Sequence, residues 1–323
     1  MTVDPRNTLR NALQTLWTTG DGADVIAEDA VFSVAWPVNE LVGRDTIVKN
    51  FITPIRNALA DVHRRDLIFI GGDNIREQGG YWCAAVTHYV GSFTKPLFGL
   101  LPSDSLVFLR AGEFYRIENG QITEAKIIFD LPDVMHQAGC LPLPSLGTEI
   151  TFPAPATQDG LCPQTEGGEA SLNVVQRMLG ALHVFDPITK TSASQTGEDG
   201  TWADDMMWYG PAGIGSNYRW EGFSKDHRVP FLDAFPDRKG GNHYCRIGDA
   251  NYAAVSGWPS MTMTFQGDYL GQPADGRALT LRVMDFYRVA DNRIKENWVT
   301  LDYGDLFAQM GRDLIAEANA LRD

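Results

Sequence analysis

The chain has 323 residues, with 41 Asp and Glu against 27 Lys and Arg and a formal net charge of −14. An acidic surface repels phosphate backbones, which excludes nucleic acid as a general partner. No run of about 18 apolar residues could span a membrane, and the polar start MTVDPRNTLRNALQ lacks the apolar core of a secretory signal, so a soluble cytoplasmic protein is expected.

Taken in chain order, Asp4 and Pro5 read as a helix cap and first helical residue. Leu9, Ala12, Leu13, Leu16 and Trp17 then follow on one apolar helical face. A second helical stretch runs over 44–60, and strand-like runs follow at 66–71, 81–91, 105–117 and 122–130. A Pro-, Gly- and Thr-rich stretch over 141–169 has little periodicity and reads as a linker lying across one domain. The order then repeats: a helix with Val175, Met178, Leu179 and Leu182 on one face, another at 223–235, and strands at 242–247, 252–266, 278–289 and 294–302. Helices first and antiparallel strands after them argue for an α+β class. The expected division is a domain over 1–145, a linker over 146–169 and a second domain over 170–323. Cys83, Cys140, Cys162 and Cys245 form no C-x-x-C pair and no zinc spacing, so no metal is expected. Neither a phosphate-binding glycine loop, a dinucleotide fingerprint nor a G-x-S-x-G elbow is present.

The repetition is explicit near each end. EFYRIENGQITEAKIIFDLPDVMHQAG at 113–139 matches DFYRVADNRIKENWVTLDYGDLFAQMG at 285–311 without a gap, at an offset of 302 − 130 = 172. The period is too long for a solenoid, so the chain is a duplicated domain. In the second copy Val289 and Ile294 flank a four-residue loop, Ala290 to Arg293, so symmetric pairing sets Tyr287 opposite Glu296 and Asp285 opposite Trp298. Alternation then gathers Asp285, Tyr287, Glu296, Trp298, Thr300 and Asp302 on one face, and Glu113, Tyr115, Glu124, Lys126 and Asp130 in the first copy. Acids and an aromatic together suit a partly wet pocket better than a dry core. The opposite face, with Arg282, Met284, Phe286, Val299 and Leu301, suits packing between two sheets, so the halves are expected to dock as a dimer fused into one chain.

AFPDR at 234–238, GDYLGQPADGR at 267–277, DFYRVADNRIKENWVTLD at 285–302 and LFAQMG at 306–311 together resemble the SnoaL-like polyketide cyclases of the NTF2-like (cystatin-like) superfamily. Asp275, Asn292 and Asn297 depart from the pattern. The resemblance covers about 205–312 well and 30–140 faintly. It implies two tandem conical barrels, each a curved antiparallel sheet packed on N-terminal helices. It also implies cofactor-free ring closure, isomerisation or a related reaction of a small hydrophobic carbonyl compound, with a carboxylate base at Asp302 and, by repeat, Asp130. Burial would raise such a carboxylate toward neutrality, and Tyr287, Asn297 or the Trp298 indole would hold the enolate oxygen. Both aspartates also read as helix caps, with an acid three residues on. Glu296, Lys126 and Glu113 read as pocket or ion-pair residues, His243 and His88 as strand histidines, and His227 as a surface residue. Trp298 keeps the family pattern where the first copy has Lys126, so the second half is expected to keep a ligand pocket and the first to have altered or lost it. A non-catalytic small-molecule binder and a protein-association module on the same fold stand as alternatives.

Overall fold

The structure, a computed structural model, describes residues 4–146, 152–163, 166–182, 184–186, 188–192 and 195–322. The first half runs α1 (Pro5–Thr19), β1 (Ile26–Val34), β2 (Glu40–Val42), α2 (Arg44–Ile47), a π turn, α3 (Thr53–Ala58), β3 (Leu59–Asp73), β4 (Tyr81–Phe93), β5 (Leu106–Glu118), β6 (Gln121–Phe129) and α4 (Leu131–Gln137). The second repeats it as α5 (Gly168–Leu182), β7 (Trp202–Tyr209), β8 (Ser216–Tyr218), α6 (Arg219–Phe223), a π turn, α7 (Val229–Ala234), β9 (Cys245–Asp249), β10 (Tyr252–Thr264), β11 (Ala278–Ala290), β12 (Arg293–Leu301) and α8 (Tyr303–Gln309). A last helix, α9 (Leu314–Ala320), has no counterpart among the described residues of the first half. Its Asn319 bonds the Leu101 N–H at 3.0 Å and the Gly99 carbonyl at 2.9 Å, tying the end of the second half to the first.

Each half is a six-stranded sheet, ordered β2-β1-β6-β5-β4-β3 and β8-β7-β12-β11-β10-β9. The class is α+β with two tandem NTF2-like units, as expected, but the sheets are mixed. β1 pairs parallel with β6, and β7 with β12. These early strands, absent from the expected elements, fall between the two helical stretches. In both halves a proline sits just inside the helix that follows the π turn, at Pro54 and Pro230. Proline has no N–H to give the preceding turn, and the helix widens there instead of stopping.

The hairpin register differs from symmetric pairing. Asp291 and Asn292, both at positive φ, form a two-residue turn, so Ala290 pairs with Arg293. One bulged residue, Lys295, then shifts the ladder: Arg288 faces Glu296, Tyr287 faces Asn297 and Asp285 faces Val299. A one-residue slip moves every later side chain to the other face. Val299 and Leu301 therefore join Asp285, Tyr287 and Asn297 on the inner face, while Glu296, Trp298 and Thr300 join Arg282, Met284 and Phe286 on the outer one. The first half has the same bulge at Thr123, which separates Glu124 and Lys126 from Glu113 and Tyr115.

The outer faces of the two sheets meet. Phe114 and Phe286, counterparts at the 172-residue offset, touch with ring centroids 5.4 Å apart. A Cβ on Gly112 would lie 2.7 Å from Thr300 Oγ1 and 3.1 Å from the Phe286 ring, so only glycine allows this approach. Gly112→Ala is expected to cost about 1–3 kcal/mol by overpacking, read as a lower urea midpoint with an unchanged slope. The linker, over its described residues 152–163, lies across both halves rather than one. Phe69 N–H bonds Gly160 O at 2.7 Å in the first half, and the Trp298 indole N–H bonds Pro153 O at 2.9 Å in the second.

Candidate active site

In the second half, the inner face of the sheet and the helices covering it enclose a cavity of about 130 Å³. This is close to the roughly 150 Å³ of an engineered hole that admits benzene. Met178, Leu179 and Leu182 of α5 and Trp202 and Trp208 of β7 give it apolar walls. β11 and β12 contribute Asp285, Tyr287 and Asn297, and the β9 approach contributes His243. Four of the expected site residues therefore converge.

Asp285 lines the cavity and retains some accessible surface. Burial pushes its carboxyl up to about 7, with hydrogen bonding from Asn297 and Tyr287 pulling weakly the other way. The Asn297 amide is held by the Phe286 carbonyl at 3.1 Å and reaches the Asp285 carboxyl at 3.4 Å. Burial and the adjacent Asp285 raise the Tyr287 hydroxyl well above its ordinary range, so it stays a neutral donor. His243 accepts from Arg246 Nε at 3.0 Å through Nδ1, which leaves its proton on Nε2.

Three basic residues outside the expected set also line this cavity: His227, Arg228 and Arg238. The π turn (Ser224–Arg228) carries the first two, so His227 is in the wall, not on the surface. Its ring stacks on Trp208 at 4.6 Å, and its Nδ1 is buried without a hydrogen-bond partner. Burial, with the Arg238 and Arg228 charges beside it, drives its pKa down to about 3, so the imidazole is neutral. Arg238 follows the FPD step, whose Asp237 accepts from the Thr264 N–H at 2.9 Å and fixes the chain there. The sequence shows Arg238 as the last residue of the quoted AFPDR motif, with Arg228 six residues before that motif begins.

The first half has closed the equivalent space. Glu113 and Tyr115 stand where the second half has Asp285 and Tyr287. Arg64 pairs with Asp66 and Glu113 at 2.6 Å each, with all three side chains inaccessible. Tyr89 donates to Glu113 and packs on Trp17 at 4.1 Å. Burial works against the Arg64 cation, but the two carboxylates outweigh it and hold its pKa above the ordinary value. Strand pairing identifies what changed. Arg64 lies opposite Tyr89, and in the second half the Lys239–Thr262 bridge sets Gly240 beside Met261. A glycine and a methionine thus replace an arginine and a tyrosine, and the interior opens.

The remaining expected residues lie elsewhere. Lys126 is on the face between the halves, not in a pocket. It pairs with Glu124 at 2.9 Å, bonds Ser33 at 3.1 Å and sits 4.5 Å over the Tyr244 ring. Glu296 is held by Arg288, by Tyr209 at 3.1 Å and by the Ala156 N–H of the linker at 3.1 Å. Trp298 gives its N–H to the linker and cannot serve an enolate in the cavity. Trp298→Phe is expected to cost about 1 kcal/mol for that hydrogen bond, seen as a lower thermal midpoint with ligand binding unchanged. His88 lines a separate groove on the first half with Arg65 and Phe108, and burial with the Arg110 and Arg65 charges drives its pKa down to about 3.

Asp130 and Asp302 are helix caps at the junction of the halves, and neither lines the cavity. Asp302 caps α8 through the Asp305 N–H at 3.1 Å, pairs with Arg282 at 3.0 Å and accepts the Trp36 N–H of the other half at 3.2 Å. Asp130 caps α4 through Asp133 N–H at 3.1 Å, pairs with Arg110 at 2.7 Å and accepts the Ala212 N–H at 3.0 Å. Trp36 and Ala212 are counterparts, because Ser33 pairs with Lys126 as Tyr209 pairs with Trp298. Each aspartate thus reaches across to the equivalent backbone of the other copy.

Among the described residues no three His, Cys, Asp or Glu side chains gather in a way that could hold a metal ion, and no helix is long and apolar enough to cross a membrane. Two six-stranded mixed sheets, each packed with helices, make this an α+β protein of two tandem units. The chain belongs to the SnoaL-like polyketide cyclase family, whose model matches residues 7–138 and 199–310. Solved structures similar to it include IdmH of Streptomyces antibioticus, a candidate polyketide cyclase, at 18% identity over 42% of this chain and 99% of that one, TM-score 0.36. A Catenulispora acidiphila protein with a ketosteroid isomerase-like fold, solved with trimethylamine, is 16% identical over 41% and 92%, TM-score 0.31. No curated protein matches the chain.

Proposed function

We propose that the second half is a cofactor-free proton-transfer catalyst of the cyclase or isomerase type, with Asp285 as its base. The observation that carries this is a carboxylate on an apolar cavity wall with its pKa raised to about 7. A base is most effective when its pKa is near the working pH. Asp285 would remove a proton from a carbon next to a carbonyl, and the negative charge would pass to the carbonyl oxygen. The neutral His227, on the π turn, lines the same cavity and supplies a donor for that oxygen, while Tyr287 and Asn297 hydrogen-bond the Asp285 carboxyl and hold it in place. The cavity size favours one ring, or one end of a longer molecule. The first half, with its interior filled by Arg64 and Tyr89, acts as the partner in an intramolecular pseudo-dimer that fixes the junction.

Deuterium uptake from D2O next to the carbonyl of cyclohexanone, followed by proton NMR, tests the reading. The wild type is expected to accelerate exchange, and Asp285→Asn to lower the rate by about 10²- to 10⁴-fold, the usual worth of a general base. Equal rates for the two proteins would remove Asp285 from the chemistry. Binding of cyclohexanone with no exchange by the wild type would leave the small-molecule binding alternative in its place.

A further inference from the structure

The proton-transfer reading uses Asp285 and leaves two cations in the same cavity without a task. Arg228 is pinned: its Nε donates to Lys190 O at 3.0 Å and its terminal nitrogen to Ser192 Oγ at 2.5 Å. Arg238 is not. Among the described residues its guanidinium has only the Phe185 ring, 5.2 Å away, and no hydrogen bond or carboxylate partner. A half-buried guanidinium normally has its donors taken, because desolvating a charge without a partner is costly. Burial and the neighbouring Arg228 lower even the Arg238 pKa, to about 10, and help keep His227 neutral. In the first half, by contrast, the buried cation Arg64 is met by two carboxylates.

We propose that Arg238 is a substrate-binding residue that takes an anionic group, a carboxylate, on a ring-sized apolar molecule, with the ring in the cavity against Trp202 and Trp208. The guanidinium fork matches a carboxylate with two parallel hydrogen bonds. The fixed positive charge of Arg228 adds to the attraction, and the neutral His227 offers a further hydrogen bond. Asp285 works on a carbon of the same molecule. The substrate class is thereby narrowed from hydrophobic carbonyl compounds to those carrying an acid, and the anion would set which carbon the base meets. This inference rests on the proton-transfer reading only in sharing its cavity.

The test compares benzoate with benzamide, a neutral isostere, binding to the full chain, followed by fluorescence of the cavity tryptophans and confirmed by calorimetry. Neither molecule has an enolisable carbon, so the result does not depend on Asp285 as a base. Wild type is expected to bind benzoate roughly 10- to 100-fold more tightly than benzamide, the worth of a charge-assisted pair. Arg238→Leu should abolish that preference and leave benzamide affinity within about two-fold. Arg238→Lys, which keeps the charge but not the fork, should keep part of it. Asp285→Asn should retain it in full. The proposal is overturned if wild type binds the two equally, if it binds neither, or if Arg238→Leu keeps the preference. Should the preference be absent while Asp285-dependent exchange persists, the anion site alone is lost. Should the preference hold while exchange is the same in Asp285→Asn, the base alone is lost.

Discussion

Asp285→Asn is expected to be inactive and, above about pH 7, more stable than the wild type. The sign follows from linkage. The Asp285 pKa rises from an ordinary 3.8 to about 7 on folding, so between those values the folded chain holds a proton that the unfolded chain has released. Stability contributed by this group is fully present below about pH 4 and is lost as pH rises through 7. A shift of this size corresponds to at most about 4 kcal/mol, at about 1.4 kcal/mol per pH unit, and screening by cavity water brings the expected gain nearer about 2 kcal/mol. The amide carries no charge at any of these pH values. Thermal midpoints of wild type and variant should therefore coincide near pH 4 and diverge, with the variant higher, by pH 8. Burial also raises Asp302 to about 6 and Asp133 to about 7, each opposed by its arginine, so the variant's curve is flatter but not flat. A variant less stable than wild type at pH 8 would show that the carboxylate is not held at a cost. The trade is one expected of a catalytic group kept in an unfavourable place for its chemistry.

Asp130→Ala is expected to destabilise by about 3–5 kcal/mol, the range for removing one member of a buried ion pair, and Asp302→Ala by clearly less. The two sites are counterparts with the same cap, the same arginine and the same reach across the junction. They differ in what remains after substitution. Arg110 is inaccessible, so losing Asp130 takes the nearest carboxylate from a desolvated cation whose neighbours include Asp133 at 3.6 Å and the Phe152 ring at 4.3 Å. Arg282 keeps 20% of its side chain exposed, lies 4.7 Å over the Trp258 ring and has Asn39 at 3.2 Å and Asp305 at 3.7 Å. It can therefore rehydrate. What Asp302→Ala loses is a helix cap, worth about 1 kcal/mol, and one bond across the junction, worth about another. Urea unfolding of both variants beside wild type measures the order. Exchange of cyclohexanone by Asp302→Asn at the wild-type rate would fit a structural role, and loss of exchange in a folded Asp302→Asn would return it to the chemistry.

Much of this protein was legible before folding. The 172-residue offset, the two helix-capping aspartates, the linker and the family motifs are local in sequence, so periodicity and capping chemistry suffice to read them. Asp285 and Tyr287 stand out because an acid beside an aromatic on a strand is costly unless something uses it, Asn297 as a donor for an enolate and His243 as a histidine in a strand run. Tertiary structure decided which of the named residues share a space. One bulged residue, Lys295, turned Trp298 and Glu296 outward and Val299 and Leu301 inward, and a bulge leaves no signature that alternation can detect. The interior of the first half is closed by Arg64 and Tyr89 and that of the second opened by Gly240 and Met261, pairs brought together only by long-range strand pairing. His227, Arg228 and Arg238 reach the cavity through a widened helical turn and a loop anchored by Asp237. Local chemistry sets which residues cap, turn and alternate. The contents of an enclosed space depend on contacts between residues tens of positions apart, which exist only once the sheet has curled.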